Sequence, residues 1–258
     1  MNRILYCLAA LLVLAMGSAQ AQQTSRLDEI IKRGTLRVGM TGDYLPFTSF
    51  DGATGKFRGF DVDMAEALGK ALGVKIEYVK TAWPQMMKDF EADNFDIAMG
   101  GVSITLDRQK KGFFSPPIMR EGKTPIARCA DKSRFATLAE IDRPGVRVIV
   151  NPGGTNERFA RAHLQSAELK VYGDNVTIFD EIAKGDADLM MTDASETRYQ
   201  QKLHPGVLCA VHPDKPFDFA EKAYWLQRDE ALKAFVDQWL HIAIEDGSFK
   251  KIYAAWFE

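Results

Sequence analysis

The sequence holds little cysteine and little histidine. Three cysteines occur in 258 residues, and Cys7 sits in the apolar N-terminal stretch, which leaves Cys129 and Cys209. The four histidines, His163, His204, His212 and His241, show no metal-ligand spacing and have no cysteine beside them as a co-ligand, so no metal site is expected. A basic excess is also missing. Lys and Arg number 33 against 35 Asp and Glu, a net charge of −2, so no basic excess is available to neutralise phosphates and nucleic acid is not an expected partner. Beyond "ILYCLAALLVLAMG" no apolar run approaches a membrane span, and that run is itself too short. No nucleophile elbow, Walker loop or dinucleotide fingerprint is found, so no cofactor is expected. Internal repeats, low-complexity tracts and long linkers are absent too.

The N-terminus has the layout of an export signal. Asn2-Arg3 opens a short positive region, the apolar run follows, and Ala19-Gln20-Ala21 forms an A-x-A cleavage site. Residues 1–21 are therefore expected to leave as a signal peptide, carrying Cys7 away, with no membrane contact after cleavage. The remainder is long enough for two medium domains or one large one. In an oxidising compartment the pair Cys129 and Cys209 suggests a disulfide, which would stabilise by about 4–5 kcal/mol in the chain-entropy account. Two separate buried thiols are the alternative.

Hydrophobic periodicity gives two α/β units in tandem. "TSRLDEIIKRGTLRVGM" reads as a helix capped by Ser25 and stopped at Gly34, then a strand. "GFDVDMAEALGKALG" is helical, "VKIEYVK" alternates as a strand, "WPQMMKDFEADN" is helical and "FDIAMGG" is a buried strand. The pattern restarts with "VRVIV", the turn "NPGGT", the helix "NERFARAHLQ", the strand "LKVYG", the helix "NVTIFDEIAKG" and the strand "ADLMMTD". Strands alternating with helices mean mainly parallel sheets flanked by helices. The helical tail from "DEALKAFVDQW" is expected to return to the first unit. Four strand ends, "GMTGDYLPF", "MGGVSIT", "VNPGGTN" and "MTDASE", are rich in Gly, alcohols and acids, and in such sheets they converge on one cleft.

Over nearly the whole chain after the signal, "GTLRVGMTGDYLPFTSF…GFDVDMAEALGKALG…FDIAMGGVSITLDRQKKGFFSPPI" resembles the type II periplasmic solute-binding fold. "IVNPGGTNERFARA", "DNVTIF", "ADLMMTDASE" and "PFDFAEKAYWL" resemble the periplasmic cyclohexadienyl dehydratases, enzymes on that scaffold that convert prephenate to phenylpyruvate and arogenate to phenylalanine. The resemblance implies two lobes joined by a two-segment hinge, with lobe 1 from residues 22–124 and 222–258 and lobe 2 from 125–221. It also implies a periplasmic location and a small-molecule substrate, prephenate or arogenate. Neither preference between them nor oligomeric state, a homo-oligomer included, is decided by the sequence.

Candidate site residues follow from the motifs. In "GGVSITLDR", Gly100 and Gly101 let a ligand approach the backbone, and Thr105 is placed to cap the helix that carries Arg108. With the hydroxyls of Ser103 and Thr105, the Arg108 guanidinium suits a carboxylate, and in the resembled fold this arginine binds one. An exposed helix arginine is the plain alternative. "NPGGTNERF" is a glycine turn into a helix start, an arrangement that favours anions. By resemblance Asn151, Thr155 and Asn156 are the candidates there. In "MTDASE", an aspartate at the position of Asp193 pairs with the ligand's amino group in amino-acid-binding relatives, and Glu196 corresponds to the dehydratases' general acid.

The chemistry gives such an acid a purpose. Expelling carbon dioxide and the ring hydroxyl together requires protonation of the departing oxygen, worth roughly 10²–10⁴ in rate. An ordinary glutamic acid, at about 4.3, would already be ionised at neutral pH, so burial and nearby negative charge must raise it. An exposed glutamate on a first helical turn is the competing account. Tyr44 and Phe47 of "GDYLPF" and Trp83 of "TAWPQM" are candidate walls, with core packing as the alternative. Lys123 of "REGKTP" would meet a carboxylate on closure, or else be solvated.

Overall fold

The computed structural model describes residues 24–258. The expected signal peptide, Cys7 included, lies outside the described residues. Ser25 opens α1 (Arg26–Arg33) by a reciprocal cap, its hydroxyl accepting from the Asp28 amide while the Asp28 carboxylate accepts from the Ser25 amide. β1 (Thr35–Met40) follows, then a small meander of β2 (Asp43–Tyr44), β3 (Thr48–Asp51) and β4 (Lys56–Arg58). Three helix-to-strand steps come next: α2 (Phe60–Leu72) to β5 (Lys75–Lys80), α3 (Met86–Glu91) to β6 (Ile97–Ala98), and α4 (Leu106–Gln109) to β7 (Phe113–Phe114). β8 (Met119–Glu121) and β9 (Lys123–Arg128) lead to a 3-10 turn (Cys129–Arg134) and α5 (Leu138–Ile141).

The second half repeats the alternation. β10 (Arg147–Val150), α6 (Thr155–His163), β11 (Glu168–Val171), α7 (Ile178–Lys184), β12 (Leu189–Asp193) and α8 (Ala194–Leu203) run in succession. β13 (Leu208–Ala210), β14 (Ala220–Lys222) and β15 (Trp225–Leu226) precede the helices α9 (Glu230–Glu245) and α10 (Ser248–Phe257).

Two five-stranded sheets form the two lobes, in the orders β5-β1-β6-β15-β7 and β11-β10-β12-β9-β13. In each, the first three strands are parallel, while β15 and β9 run antiparallel to their neighbours. The reversal has a topological cause. β8 and β14 pair antiparallel as a ribbon between the lobes, so the chain enters each sheet from that ribbon at the end where the parallel strands finish. Residues of β10 and β12 alternate between two cores. Val148, Val150, Leu189 and Met191 pack with Phe159 and Ala160, whereas Ile149 and Met190 pack with Ile178, Phe179 and Ile182. Leu232, Val236 and Leu240 of α9 join the core of β1 and α2. Cys129 and Cys209 form a disulfide across the ends of β9 and β13, with Cα atoms 4.8 Å apart.

Candidate active site

Strand register builds the centre of the site. β9 and β12 align so that Lys123 stands directly opposite Asp193, and Thr124 opposite Thr192. The Lys123 ammonium donates to Asp193 Oδ1 at 2.6 Å, and the other oxygen, Oδ2, accepts from Lys222 at 2.6 Å and from the Tyr44 hydroxyl at 2.6 Å. Lys222 arrives from the ribbon strand β14, bridged to Ser103, whose hydroxyl lies 3.0 Å from its nitrogen. All five side chains of this cluster are buried. Burial alone would raise the Asp193 carboxyl, but the charges and hydrogen bonds of Lys123 and Lys222 prevail and hold it below the ordinary carboxylate range. Lys123 is pulled down by burial against the pull of Asp193, while for Lys222 the charges of Asp193 and Glu121 overcome burial and raise it.

Around this charge cluster lies a narrow cavity of about 20 Å³ between the lobes, closed down on its own side chains. Tyr44, Trp83, Gly101, Ser103 and Arg108 line it from one lobe, and Asn151, Thr155, Asn156 and Asp193 from the other. Gly101 has φ +67°, and a Cβ there would stand 2.5 Å from the Tyr44 ring, so only glycine fits. The lobes are drawn together by the Tyr44–Asp193 hydrogen bond and by Asn175, which donates to the Asp43 carbonyl at 2.8 Å.

Arg108 is only 6% exposed. Its backbone amide is capped by Thr105, and its guanidinium donates to the Ser103 carbonyl at 2.8 Å. Among the described residues no carboxylate pairs with it. Burial first, and the like charge of Arg158 second, lower it to about 10. A buried guanidinium without a protein counter-charge is suited to a ligand anion. The start of α6 adds backbone donors, since Gly154 provides no side-chain cap.

Glu196 lies on the first turn of α8, wholly buried, one turn after Thr192. The Thr192 hydroxyl donates to its Oε2 at 2.5 Å, and Oε1 has no hydrogen-bond partner among the described residues. Burial, above all, pushes this carboxyl well above the usual range; the Thr192 hydrogen bond offsets part of that, and the charges of Asp193 and Asp43 add to it. Its surroundings therefore favour the neutral, protonated form of the group. Glu196 does not itself line the cavity: two side chains stand between, Thr192, which it meets directly, and Asn156, which lines the cavity and donates to Thr192 at 3.0 Å.

Several sequence expectations need adjusting. Thr105 spends its hydroxyl on the helix cap and does not line the cavity. Lys123 touches Asp193, Thr155 and Asn156 inside the molecule, so the solvated alternative is wrong. Asp193 already holds three donors from the protein, which is not the bare carboxylate expected for an amine. Phe47 stacks on Tyr44 with ring centroids 5.2 Å apart, yet it supports that wall from behind. Trp83 stays on the wall, its indole donating to Asp43 at 3.0 Å. Lys222 was missed by sequence reasoning. Its only signal is a lysine directly before the apolar run "AYWL", where a buried strand begins. Among the described residues no group of His, Cys, Asp and Glu side chains could hold a metal ion.

Comparison with known proteins fits this geometry. The family described as bacterial extracellular solute-binding proteins, family 3, matches residues 36–258. The chain is 57% identical to the cyclohexadienyl dehydratase of Pseudomonas aeruginosa, covering 100% of this chain and 95% of that protein. It is 27% identical to the L-cystine-binding protein TcyJ of Escherichia coli, over 97% of this chain and 92% of the other. Among solved structures, an ancestral amino acid-binding protein, a precursor of cyclohexadienyl dehydratase, superposes with a TM-score of 0.83 at 36% identity, covering 91% of this chain and 100% of that one. An ancestral cyclohexadienyl dehydratase matches at 53% identity with a TM-score of 0.56, covering 90% and 96%. The chain belongs to family 3 of the bacterial extracellular solute-binding proteins.

Proposed function

We propose that the protein is a periplasmic cyclohexadienyl dehydratase, a hydro-lyase that converts prephenate to phenylpyruvate and arogenate to phenylalanine. The observation that carries this reading is Glu196, a fully buried carboxyl whose surroundings favour its neutral form, linked through Thr192 and Asn156 to the interlobe cavity. The 57% identity to an enzyme of that name over the full chain supports it independently.

The ring carboxylate of the substrate leaves as carbon dioxide, its C–C bonding electrons enter the ring, and the ring carbon–oxygen bond breaks. Glu196 gives its proton to the departing oxygen, so water leaves in place of hydroxide, and the resulting carboxylate recovers a proton from solvent after the lobes open. Arg108 and the free amides at the start of α6 offer two anion positions for the two carboxylates. Asp193, Lys123 and Lys222 neutralise one another in part and hold the walls of the site together.

The second reading is a non-catalytic amino acid carrier, favoured by the fold shared with the ancestral amino acid-binding protein. A carrier has no use for a neutral acid behind its binding cavity. Purified protein mixed with prephenate, and separately with arogenate, separates the two. Appearance of phenylpyruvate or phenylalanine supports the dehydratase, whereas tight calorimetric binding of a free amino acid without turnover supports the carrier.

A further inference from the structure

The hydrogen bonds leading to Glu196 run in one consistent direction. Lys123 has only donors, so the Asn156 side-chain oxygen must face it, as the Nζ–Oδ1 contact requires. The Asn156 amide nitrogen then faces the other way and donates to Asn151 Oδ1 at 2.9 Å and to Thr192 Oγ1 at 3.0 Å. Asn156 takes one of the two lone pairs of Thr192 Oγ1, and the only acceptor that the hydroxyl hydrogen meets among the described residues is Glu196 Oε2, 2.5 Å away. Lys123 is itself fixed by Asp193, so the direction is set from the charge cluster outward.

Resting on the reading of Glu196 as the acid, we propose that Thr192 is a positioning residue that assigns the acid's proton to Oε1. Oε2 is occupied as an acceptor, so the hydrogen of the neutral carboxyl sits on Oε1, the oxygen without a partner among the described residues. When that proton leaves, the negative charge spreads to Oε2, where the Thr192 hydroxyl stabilises it. Thr192 thus fixes which oxygen delivers the proton and also strengthens the acid.

Thr192→Val removes the hydroxyl at nearly constant volume, and Thr192→Ser restores it. The infrared band of the protonated Glu196 carboxyl, identified by its loss in Glu196→Gln, reports the titration directly and needs no turnover. In Thr192→Val the band should persist to a pH higher by about one unit, with the same direction in Thr192→Ala, and Thr192→Ser should titrate with the parent. Prephenate turnover by Thr192→Val should fall about 10–100-fold with KM within about twofold, and its alkaline limb should move upward by the same amount as the band. A slower enzyme that works to higher pH is not what simple structural damage produces. The proposal is overturned if the band in Thr192→Val titrates at or below the parent's pH, or if Thr192→Ser is displaced as far as Thr192→Val. If the parent does not turn over prephenate, the acid reading fails, while the infrared titration still decides the hydrogen-bond direction.

Discussion

Asp193 and Glu196 stand three residues apart, yet their surroundings drive them to opposite charge states. Two lysines and a tyrosine hydroxyl converge on Asp193 and favour its ionised form, whereas at Glu196 burial and the charges of Asp193 and Asp43 outweigh one hydroxyl and the charge of Lys123 and favour the protonated form. Such a split between neighbouring carboxyls separates a charged structural anchor from an acid. It has a thermodynamic consequence. An acid whose folded pKa lies above its unfolded value lowers stability at every pH above the unfolded value, because the unfolded chain ionises first. Glu196→Gln should therefore melt at a higher temperature than the parent at pH 8, and the gap should close as the pH falls towards 4. Thermal scans across that range check it; a variant that melts lower at pH 8 contradicts the buried neutral acid.

At the scale of elements, the disulfide between the 3-10 turn after β9 and strand β13 joins residues 80 apart in sequence. Closing so long a loop stabilises by about 4–5 kcal/mol in the chain-entropy account. A Cys129→Ser, Cys209→Ser double variant should lose stability of that order in urea, and an unchanged midpoint would show the bond to be passive. The elements themselves were legible because their signals are local. Ser25 and Asp28 cap α1, Thr105 caps α4, and the apolar run Leu189–Met191 reads as a central strand. The direction of β9 and β15 was not legible, because it follows from the hinge ribbon and no local pattern encodes it. The same limit hid Lys222, whose role depends on a pairing with Ser103 across 119 residues. Arg108, Asp193 and Glu196 could be picked out as types of residue at strand ends. That Lys123 and Lys222 would occupy Asp193 depended on register, which the sequence does not print.

The whole molecule works as two lobes pressed together at the mouth of the cavity. Gly153, at φ +74°, lies so close to Pro84 of the other lobe that a Cβ would stand 2.6 Å from the Pro84 Cα. Gly153→Ala should hold the lobes apart. Small-angle scattering should then show a larger radius of gyration than the parent, and kcat/KM should fall about tenfold or more, since closure excludes water and seats the acid. An unchanged radius and rate would mean that this contact does not govern closure.

The central claim is that a protonated Glu196 delivers the hydrogen on which loss of the ring hydroxyl depends. Its most direct test is Glu196→Gln, with prephenate turnover and prephenate affinity measured on the same preparation. The account predicts turnover lower by at least about 100-fold with affinity within a few-fold of the parent. Turnover close to the parent's would contradict it.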